Sequence, residues 1–141
     1  LEPWAMKDVP LIIDNVFHIL DETTASPDSP SQQSDAAIKL IDIRKKVMNE
    51  PENWTSLKMA EYCHYNPTYF GKLYKKLFNA NPTKDRNFFL VEKIKFYLKF
   101  TTLNLETIAE RCNIKSIPYL INLFKSYENQ TPTAWRKANA N

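Results

Sequence analysis

Two stretches of this chain resemble each other closely, and this internal repeat constrains the fold more than any other feature. Residues 59–65, MAEYCHY, recur 49 residues later at 108–114 as IAERCNI. The next stretch, residues 66–83, matches residues 116–133 at an offset of 50. Self-similarity at a fixed spacing indicates that one supersecondary unit occurs twice. The chain is therefore expected to contain two copies of a short helix, a tight turn and a second helix.

Each copy has the residue pattern of a helix-turn-helix. In the first copy, Thr55 is placed to cap the first helix, and Asn66 to cap the second, with Pro67 at its first position. The turns fall at His64 and, in the second copy, at Asn113. Apolar residues at helical spacing predict one buried stripe in each second helix. These stripes are Phe70, Leu73, Tyr74 and Leu77 in the first copy, and Leu120, Leu123, Phe124 and Tyr127 in the second.

Small residues and asparagines support the same interpretation. Ala60 and Ala109 hold equivalent places in the two first helices, where a crossing helix can approach closely. Asn79, Asn113 and Asn129 stand where left-handed backbone is expected, a conformation that asparagine tolerates better than most residues. The alternative is an ordinary helical hairpin, which would not need a repeated cap, turn and basic residue.

Three further helices are expected around the repeated units. An amphipathic helix over residues 35–48 precedes the first unit, a longer helix over 83–100 joins the units, and a short helix over 133–138 closes the second. Residues 11–20 are apolar and helical in pattern, whereas residues 22–35 lack periodicity, which is typical of a flexible linker. The inward positions expected in the 35–48 helix are Ala37, Ile38, Leu40, Ile41 and Val47.

The helix over 83–100 has two apolar faces, and a helix of this kind needs two packing partners. The simpler interpretation is that each face packs on one helix-turn-helix, so that the helix is a rigid spacer. The alternative is that the phenylalanine face forms a dimer interface. One face contains Leu90, Val91, Ile94, Tyr97 and Leu98, and the other contains Phe89, Phe96 and Phe100.

Charge is distributed unevenly along the chain. Residues 1–34 contain one lysine and six acidic residues, a net charge of −5. Residues 35–141 contain 18 lysines or arginines and 10 acidic residues, a net charge of +8. A compact basic helical module is typical of nucleic-acid binding, because neutralised phosphates supply most of the sequence-independent affinity. A solvated basic surface is the alternative that charge alone leaves open.

No cluster of residues in the sequence predicts catalysis or metal binding. Cys63 and Cys112 lie at the same place in each repeat, without the spacing of a metal site or a disulfide framework, so they are expected to be buried thiols. His18 and His64 are isolated. We therefore expect no enzyme activity, cofactor or metal. The sequence shows no signal peptide and no apolar run of membrane-spanning length, so a cytoplasmic protein without a membrane partner is expected.

The second repeat contains the most specific signature in the chain. Its turn is one residue longer than that of the first repeat, and it ends in Phe-Lys, Thr-Pro and aromatic-Arg elements. In this order and spacing, about residues 38–137 resemble the DNA-binding module of AraC-type (AraC/XylS family) transcriptional regulators. The residues that carry the resemblance are Ile108-Ala109, Tyr119-Leu120, Leu123-Phe124-Lys125, Thr131-Pro132 and Trp135-Arg136.

The resemblance implies an all-α, homeodomain-like fold with two helix-turn-helix subdomains joined by a long linker helix. It implies sequence-specific double-stranded DNA binding, with two recognition helices in successive major grooves, on one side of the protein and roughly 34 Å apart. RNA polymerase, and a second copy joined through a missing upstream domain, are further partners that it allows. The expected domains are an acidic leader and linker over 1–34, which is the tail of an upstream domain or a docking helix, and a DNA-binding domain over 35–141. Within the latter, the first helix-turn-helix spans about 55–78, the linker helix about 83–100 and the second helix-turn-helix about 105–127.

Several positions depart from the family pattern. Asn79, Asn113 and Asn129 replace the usual glycines, and asparagine is a mild substitute. The linker helix has Leu90 and Ile94 where the family usually has arginine and alanine. Glu128 replaces an aromatic residue, whose place Tyr127 is expected to take.

The two recognition helices differ in the residues that they offer to base edges. In the first, Lys72 is suited to guanine O6 or N7, Thr68 offers a hydroxyl or methyl group, and Gly71 allows close backbone approach. In the second, Asn122 is suited to a bidentate pair with adenine, whereas Pro118 offers only apolar contact. The phosphate contacts that we predict are Lys75, Lys76, Lys84, Arg86, Lys115, Tyr119, Lys125 and Arg136.

A different class of function is also consistent with these residues. A degenerate helix-turn-helix module would bind another protein instead of DNA, with Pro118, Ile121 and the phenylalanine face as its contact surface. Salt-dependent binding to mixed-sequence DNA distinguishes the two functions, because the protein-binding module would show none.

Overall fold

Seven α-helices and one 3-10 turn make up residues 30–140, the part of the chain that the computed structural model describes. No strand occurs in this range, so the predicted all-α fold is confirmed there. The predicted helix over 11–20 lies outside the described residues. The helices are α1 (Pro30–Asn49), α2 (Ser56–Tyr62), α3 (Pro67–Phe78), α4 (Pro82–Phe100), α5 (Leu105–Arg111), α6 (Ile117–Glu128) and α7 (Pro132–Ala138), and the 3-10 turn is Pro51–Asn53.

Side-chain caps fix the starts of the helices in both units, and two of them, Thr55 and Asn66, are caps that the sequence predicts. The Thr55 hydroxyl accepts a hydrogen bond from the Lys58 amide at the start of α2. The Asn66 side chain accepts two backbone hydrogen bonds, at 2.8 and 3.1 Å, at the start of α3. Ser116 caps α6 in the same way, at 3.3 Å. Each cap satisfies amides that have no partner inside the helix, so it fixes the residue at which the helix begins.

Four non-glycine residues have a positive φ, and all lie at predicted turn or helix-end positions. Two are in the turns of the helix-turn-helix units, and two follow the recognition helices α3 and α6. The left-handed conformation predicted for the asparagines is therefore confirmed. These residues are His64 (φ 61°), Asn79 (54°), Asn113 (53°) and Asn129 (60°).

The described residues form two hydrophobic cores, one for each helix-turn-helix. Unit one consists of α1, α2, α3 and one face of α4, and unit two consists of the other face of α4 with α5, α6 and α7. Phe89 of α4 packs in the core of unit one, whereas Leu90 and Ile94 pack in that of unit two. Because its two faces serve different cores, α4 is the shared spacer that the two-face pattern predicts. Only Phe100 of the phenylalanine face is exposed, at 64%.

The first helix of each helix-turn-helix contains a buried alanine at the equivalent position. Ala60 is 0% exposed and Ala109 is 3% exposed. The carbonyl of each alanine accepts a hydrogen bond from an amide in the following turn, from Tyr65 at 2.9 Å in unit one and from Ile114 at 2.8 Å in unit two. The sequence repeat therefore corresponds to a repeat of turn geometry.

Helix α1 differs from the prediction in its start and in its buried face. It begins at Pro30, five residues before the predicted start, so the last part of the predicted linker is helical. Ile38, which we expected to be buried, is 65% exposed. The buried stripe runs through Ala37, Leu40, Ile43 and Val47, and residue 38 lies about 100° around the helix from residue 37. Only one side of helix α1 packs against the rest of unit one, so Ile38 lies outside the core.

Candidate nucleic-acid interface

Helix α3 presents the predicted reading residues of unit one on its outer surface. Phe70 and Tyr74 face the core, Leu73 is half-buried, and Thr68 and Lys72 are exposed. Gly71 has open space around it, because a Cβ atom built there would meet no atom within 4 Å. Nothing inside the protein requires glycine at this position.

Helix α6 has the same arrangement with different side chains. Leu120, Leu123 and Phe124 are buried, and the predicted burial of Tyr127 is only partial. On the opposite face, Pro118, Asn122 and Lys125 are exposed, Tyr119 is 49% exposed, and Ile121 is half-buried. The exposed surface of α6 is therefore less basic and more apolar than that of α3.

Five of the predicted phosphate-binding lysines are exposed, in positions around the two recognition helices. Two lie in the last turn of α3, one near the start of α4, one before α6 and one within α6. Long cationic side chains at such flanking positions are suited to phosphate oxygens. They are Lys75, Lys76, Lys84, Lys115 and Lys125.

The two predicted phosphate-binding arginines donate hydrogen bonds to backbone carbonyls of the protein. The Arg86 guanidinium donates to the Pro51 and Trp54 carbonyls at 2.9 and 3.0 Å. The Arg136 guanidinium donates to three carbonyls at the C-terminal end of α4, at 2.9 to 3.3 Å. Cationic groups favour helix C-termini because the last carbonyls have no partner within the helix. The phosphate contacts of Arg86 and Arg136 stay predictions, and the proposal below rests on the exposed lysines and Tyr119.

A buried polar network lies behind α3, and the sequence analysis did not predict it. The Arg44 guanidinium donates to both oxygens of the Asp85 carboxylate, at 2.6 and 3.0 Å. The Tyr74 hydroxyl donates to the same carboxylate. The Arg44 guanidinium also lies over the rings of Phe78 and Phe89, 5.0 Å from each centroid. One carboxylate thus joins α1, α3 and α4.

The repeat itself contains the signal that would have revealed this network. At the offset of 50, Asp85 takes the place of Trp135, and Tyr74 takes the place of Phe124. In unit two these positions are filled by two rings in edge contact, with centroids 6.0 Å apart. An acid at a position where the other copy has tryptophan indicates a buried polar partner, because an unpaired carboxylate is costly to bury.

Burial and charge together determine the protonation of the network. Burial and the neighbouring Asp85 carboxylate raise the pKa of Tyr74 well above its ordinary value, so the phenol stays protonated. Burial lowers the pKa of Arg44, but the hydrogen bond and charge of Asp85 outweigh that effect and raise it. At neutral pH, Arg44 is a cation and Tyr74 a hydrogen-bond donor.

Polar contacts also join unit two to the 3-10 turn beside unit one, and join both regions to the shared helix α4. Asn113, in the turn of unit two, donates to the Asn53 side chain of the 3-10 turn at 3.2 Å. The Lys93 ammonium lies 2.5 Å from the Glu52 carboxylate. Glu128, which replaces the usual aromatic residue, lies 3.3 Å from the Lys95 ammonium. These contacts oppose independent movement of the two recognition helices.

The remaining chemistry of the described residues is structural. Cys63 and Cys112 are buried free thiols, and burial raises their pKa to about 11 and about 12 respectively. Among residues 30–140, no group of three or more His, Cys, Asp or Glu side chains is placed to hold a metal ion. No helix in the described range is long and apolar enough to span a bilayer.

The described residues contain two helix-turn-helix units that share one linker helix, and the second helix of each unit has an exposed face. This arrangement defines a two-unit helix-turn-helix module. Residues 99–137 match the family model of bacterial regulatory helix-turn-helix proteins, AraC family. This match covers the second unit, where the sequence signature lies, and agrees with the resemblance that the signature indicates.

The chain is also similar to a transcriptional activator of Bacillus subtilis. The chain is 30% identical over 89 residues to AdaA of Bacillus subtilis, a bifunctional transcriptional activator and DNA repair enzyme. That match covers 63% of this chain but only 42% of AdaA, so the chain spans less than half of that curated relative.

Solved structures show the same fold at low sequence identity. The DNA-binding domain of AdpA, a global transcriptional factor solved with a target DNA, has a TM-score of 0.65 at 18% identity, covering 70% of this chain and 90% of that domain. The C-terminal domain of AraT, a response regulator from Geobacillus stearothermophilus, has a TM-score of 0.68 at 20% identity, covering 82% and 91%. At these identities the likeness shows the fold alone.

Proposed function

We propose that this chain is a sequence-specific DNA-binding transcription regulator whose helices α3 and α6 enter successive major grooves of one duplex. The proposal rests on one repeated arrangement: in both units a polar cap, a left-handed turn residue and a buried alanine precede or begin the second helix. This arrangement leaves one face of α3 and one face of α6 exposed. The structural neighbour AdpA was solved with its target DNA, which supports this function for the fold. The separation of roughly 34 Å between the two helices remains a prediction.

The two helices have different reading roles in this proposal. Lys72 donates to a guanine edge, Thr68 contacts the neighbouring base, and Gly71 lets the backbone of α3 approach the groove. In α6, Asn122 makes a bidentate pair with adenine, and Pro118 contacts thymine methyl groups. Unit one therefore supplies more hydrogen-bonded discrimination than unit two.

Phosphate binding comes from the exposed residues that flank the reading positions. Lys75, Lys76 and Lys84 contact the backbone around the first groove. Lys115, Tyr119 and Lys125 contact it around the second. Each lysine that neutralises a phosphate releases a counterion and contributes about 0.9 to the slope of log affinity against log salt.

Several wider roles belong to the same proposal. We infer a cytoplasmic protein that acts without catalysis, cofactor or membrane contact. RNA polymerase is its proposed protein partner, and dimerisation is proposed through an upstream domain. The acidic residues 1–34 are proposed as the connection to that domain.

Selection from random duplex DNA, followed by quantitative binding, tests the function. We expect enrichment of a site with two half-sites and an affinity for scrambled duplex that falls steeply with salt. A log–log salt slope near −4 is expected on scrambled duplex if most of the five exposed lysines contact phosphate. No enrichment and no salt-dependent binding would instead favour the protein-interaction module, whose apolar surface would include Pro118 and Ile121.

A further inference from the structure

A buried polar network lies behind recognition helix α3, at positions where two aromatic rings lie behind α6. The Asp85 carboxylate accepts from the Tyr74 hydroxyl and from two nitrogens of Arg44. The positions equivalent to Tyr74 and Asp85 in unit two hold Phe124 and Trp135, which make an edge contact. Equivalent positions in the two units thus hold a polar network in one case and an aromatic pair in the other.

The two kinds of contact restrain a helix differently. Hydrogen bonds weaken steeply when their angle departs from linearity. Aromatic pairs remain favourable over centroid separations of about 4.5 to 7 Å. Arg44, Asp85 and Tyr74 are buried at 7, 8 and 0% exposure, so water cannot replace a lost partner. The network therefore restrains the rotation of α3 about its axis more narrowly than the ring pair restrains α6.

Rotation of α3 changes what the helix presents to a base. Tyr74 and Lys72 are two residues apart, so their side chains leave the helix on nearly opposite sides. A rotation of about 10° moves a side-chain tip at a radius of about 5 to 6 Å by roughly 1 Å. A bidentate contact between Lys72 and a guanine edge does not tolerate such a displacement well.

Stability alone does not account for the network. Replacing a buried ion pair by apolar residues of similar volume is often neutral or stabilising, because the ions lose hydration when they are buried. Unit two shows that these positions accept two aromatic rings. Compared with the ring pair, the polar network adds a preference for one rotation of α3 about its axis.

We propose that Arg44, Asp85 and Tyr74 are positioning residues that fix the orientation of α3 and thereby sharpen base discrimination by unit one. This role rests on the proposed DNA-binding function. It is separate from base or phosphate contact, because all three side chains are buried behind α3.

The first test is Tyr74→Phe, which removes one hydroxyl and keeps the ring. Tyr62→Phe is the matched control, because it removes an exposed hydroxyl that donates to Asp42 at 2.8 Å, away from the network. Base preference is measured at every position of the selected site, and Lys72→Ala identifies the positions that unit one reads. Tyr74→Phe should lower preference about tenfold at those positions, leave the half-site of unit two unchanged and leave scrambled-duplex affinity within about twofold, since it removes no base or phosphate contact. Tyr62→Phe should change none of these.

A second variant separates positioning from stability. Arg44→Met combined with Tyr74→Phe and Asp85→Leu replaces the whole network by apolar side chains. This triple variant should melt at or above the temperature of the unmodified chain and should still lose preference at the unit-one positions.

Full preference at the unit-one positions in either variant overturns the positioning role, as does an equal loss across both half-sites. If the unmodified chain selects no site, the DNA-binding function fails and this role fails with it. If the chain selects a site that Tyr74→Phe reads equally well, only the positioning role fails.

Discussion

Units one and two have the same backbone plan but different interiors and different outer surfaces. Both use a polar cap, a left-handed turn residue and a buried alanine, and both use an arginine to satisfy backbone carbonyls. Unit one has a buried carboxylate at the position where unit two has Trp135 packed on Phe124. The comparison shows that local caps and a close helix crossing define the helix-turn-helix, while the filling of its core can vary.

The exposed faces of α3 and α6 differ, and so do the buried side chains behind them. Helix α3 offers Thr68 and Lys72, and it is the helix with a directional network behind it. Helix α6 offers Pro118 and Asn122 and is backed by rings. In our account, the unit that reads more by hydrogen bonds is also the unit whose recognition helix is more tightly oriented.

The largest expected effect comes from breaking the interior of unit one. Asp85→Ala leaves the buried Arg44 cation without its carboxylate and should cost about 3 to 5 kcal/mol of unfolding free energy. Asp42→Ala is the control, because it removes an exposed carboxylate and should cost less than about 1 kcal/mol. Denaturant unfolding measures both. If Asp85→Ala lowered the unfolding free energy no more than Asp42→Ala, the buried network would not stabilise the fold.

A second prediction tests whether the two helix crossings are equivalent. Ala60→Leu and Ala109→Leu should each overpack a crossing and cost about 1 to 3 kcal/mol. Ala134→Leu, on the exposed side of α7, should cost little. Thermal melts that are unchanged by either crossing variant would contradict the shared geometry, and a large difference between the two would show that the units tolerate crowding differently.

A third prediction separates base reading from phosphate binding. Lys72→Ala should lose about 1 to 3 kcal/mol of binding on the selected site and much less on scrambled duplex. Lys76→Ala should weaken both alike and reduce the salt slope by about one. Binding is measured on both duplexes at two salt concentrations. Equal losses on both duplexes for Lys72→Ala would make Lys72 a phosphate contact.

The corresponding prediction for unit two is narrower. Asn122→Ala should relax preference at a single adenine, at a cost of about 1 to 3 kcal/mol on that site. Pro118→Ala should change little beyond the start of α6, because Pro118 offers no hydrogen bond. Base-preference profiles of the two variants decide this. A large site-specific loss for Pro118→Ala would mean that unit two reads sequence by shape and methyl contacts.

The smallest expected effect concerns the two turns. His64 and Asn113 both have left-handed backbone, at φ 61° and 53°. His64→Gly should stabilise the chain by about 0.5 to 1 kcal/mol, because it relieves the steric cost of left-handed backbone. The greater conformational freedom of glycine in the unfolded chain reduces this gain. Asn113→Gly should gain less, because asparagine tolerates the conformation and its side chain donates to Asn53. Equal gains in unfolding free energy would show that the bridge from Asn113 contributes nothing.

Much of the fold could be predicted from the sequence because its determinants are local. Caps such as Asn66 and turn residues such as Asn113 act within a few positions, and the two faces of α4 follow from helical periodicity. The burial of Ile38 was predicted wrongly, since which side of α1 meets the protein depends on helices distant in sequence. Arg86 illustrates the same limit, because its carbonyl partners lie 32 and 35 residues away.

The candidate site could be predicted only in part. Exposure of Thr68, Lys72 and Asn122 followed from their places opposite the apolar stripes. The buried network could not be read from periodicity, because Tyr74 counts as apolar in a stripe and Asp85 counts as a first-turn acid. Only a residue-by-residue comparison of the two repeats shows that a carboxylate stands where the other copy has tryptophan.

The central claim is that both units read one duplex at a fixed separation. The most direct test is an insertion of about 5 bp, half a helical turn, between the two half-sites of the selected duplex. Because polar contacts join the units, α6 should be unable to follow its half-site to the opposite face of the DNA. We predict that affinity falls to that for the unit-one half-site alone. Unchanged affinity for the expanded site would contradict the account.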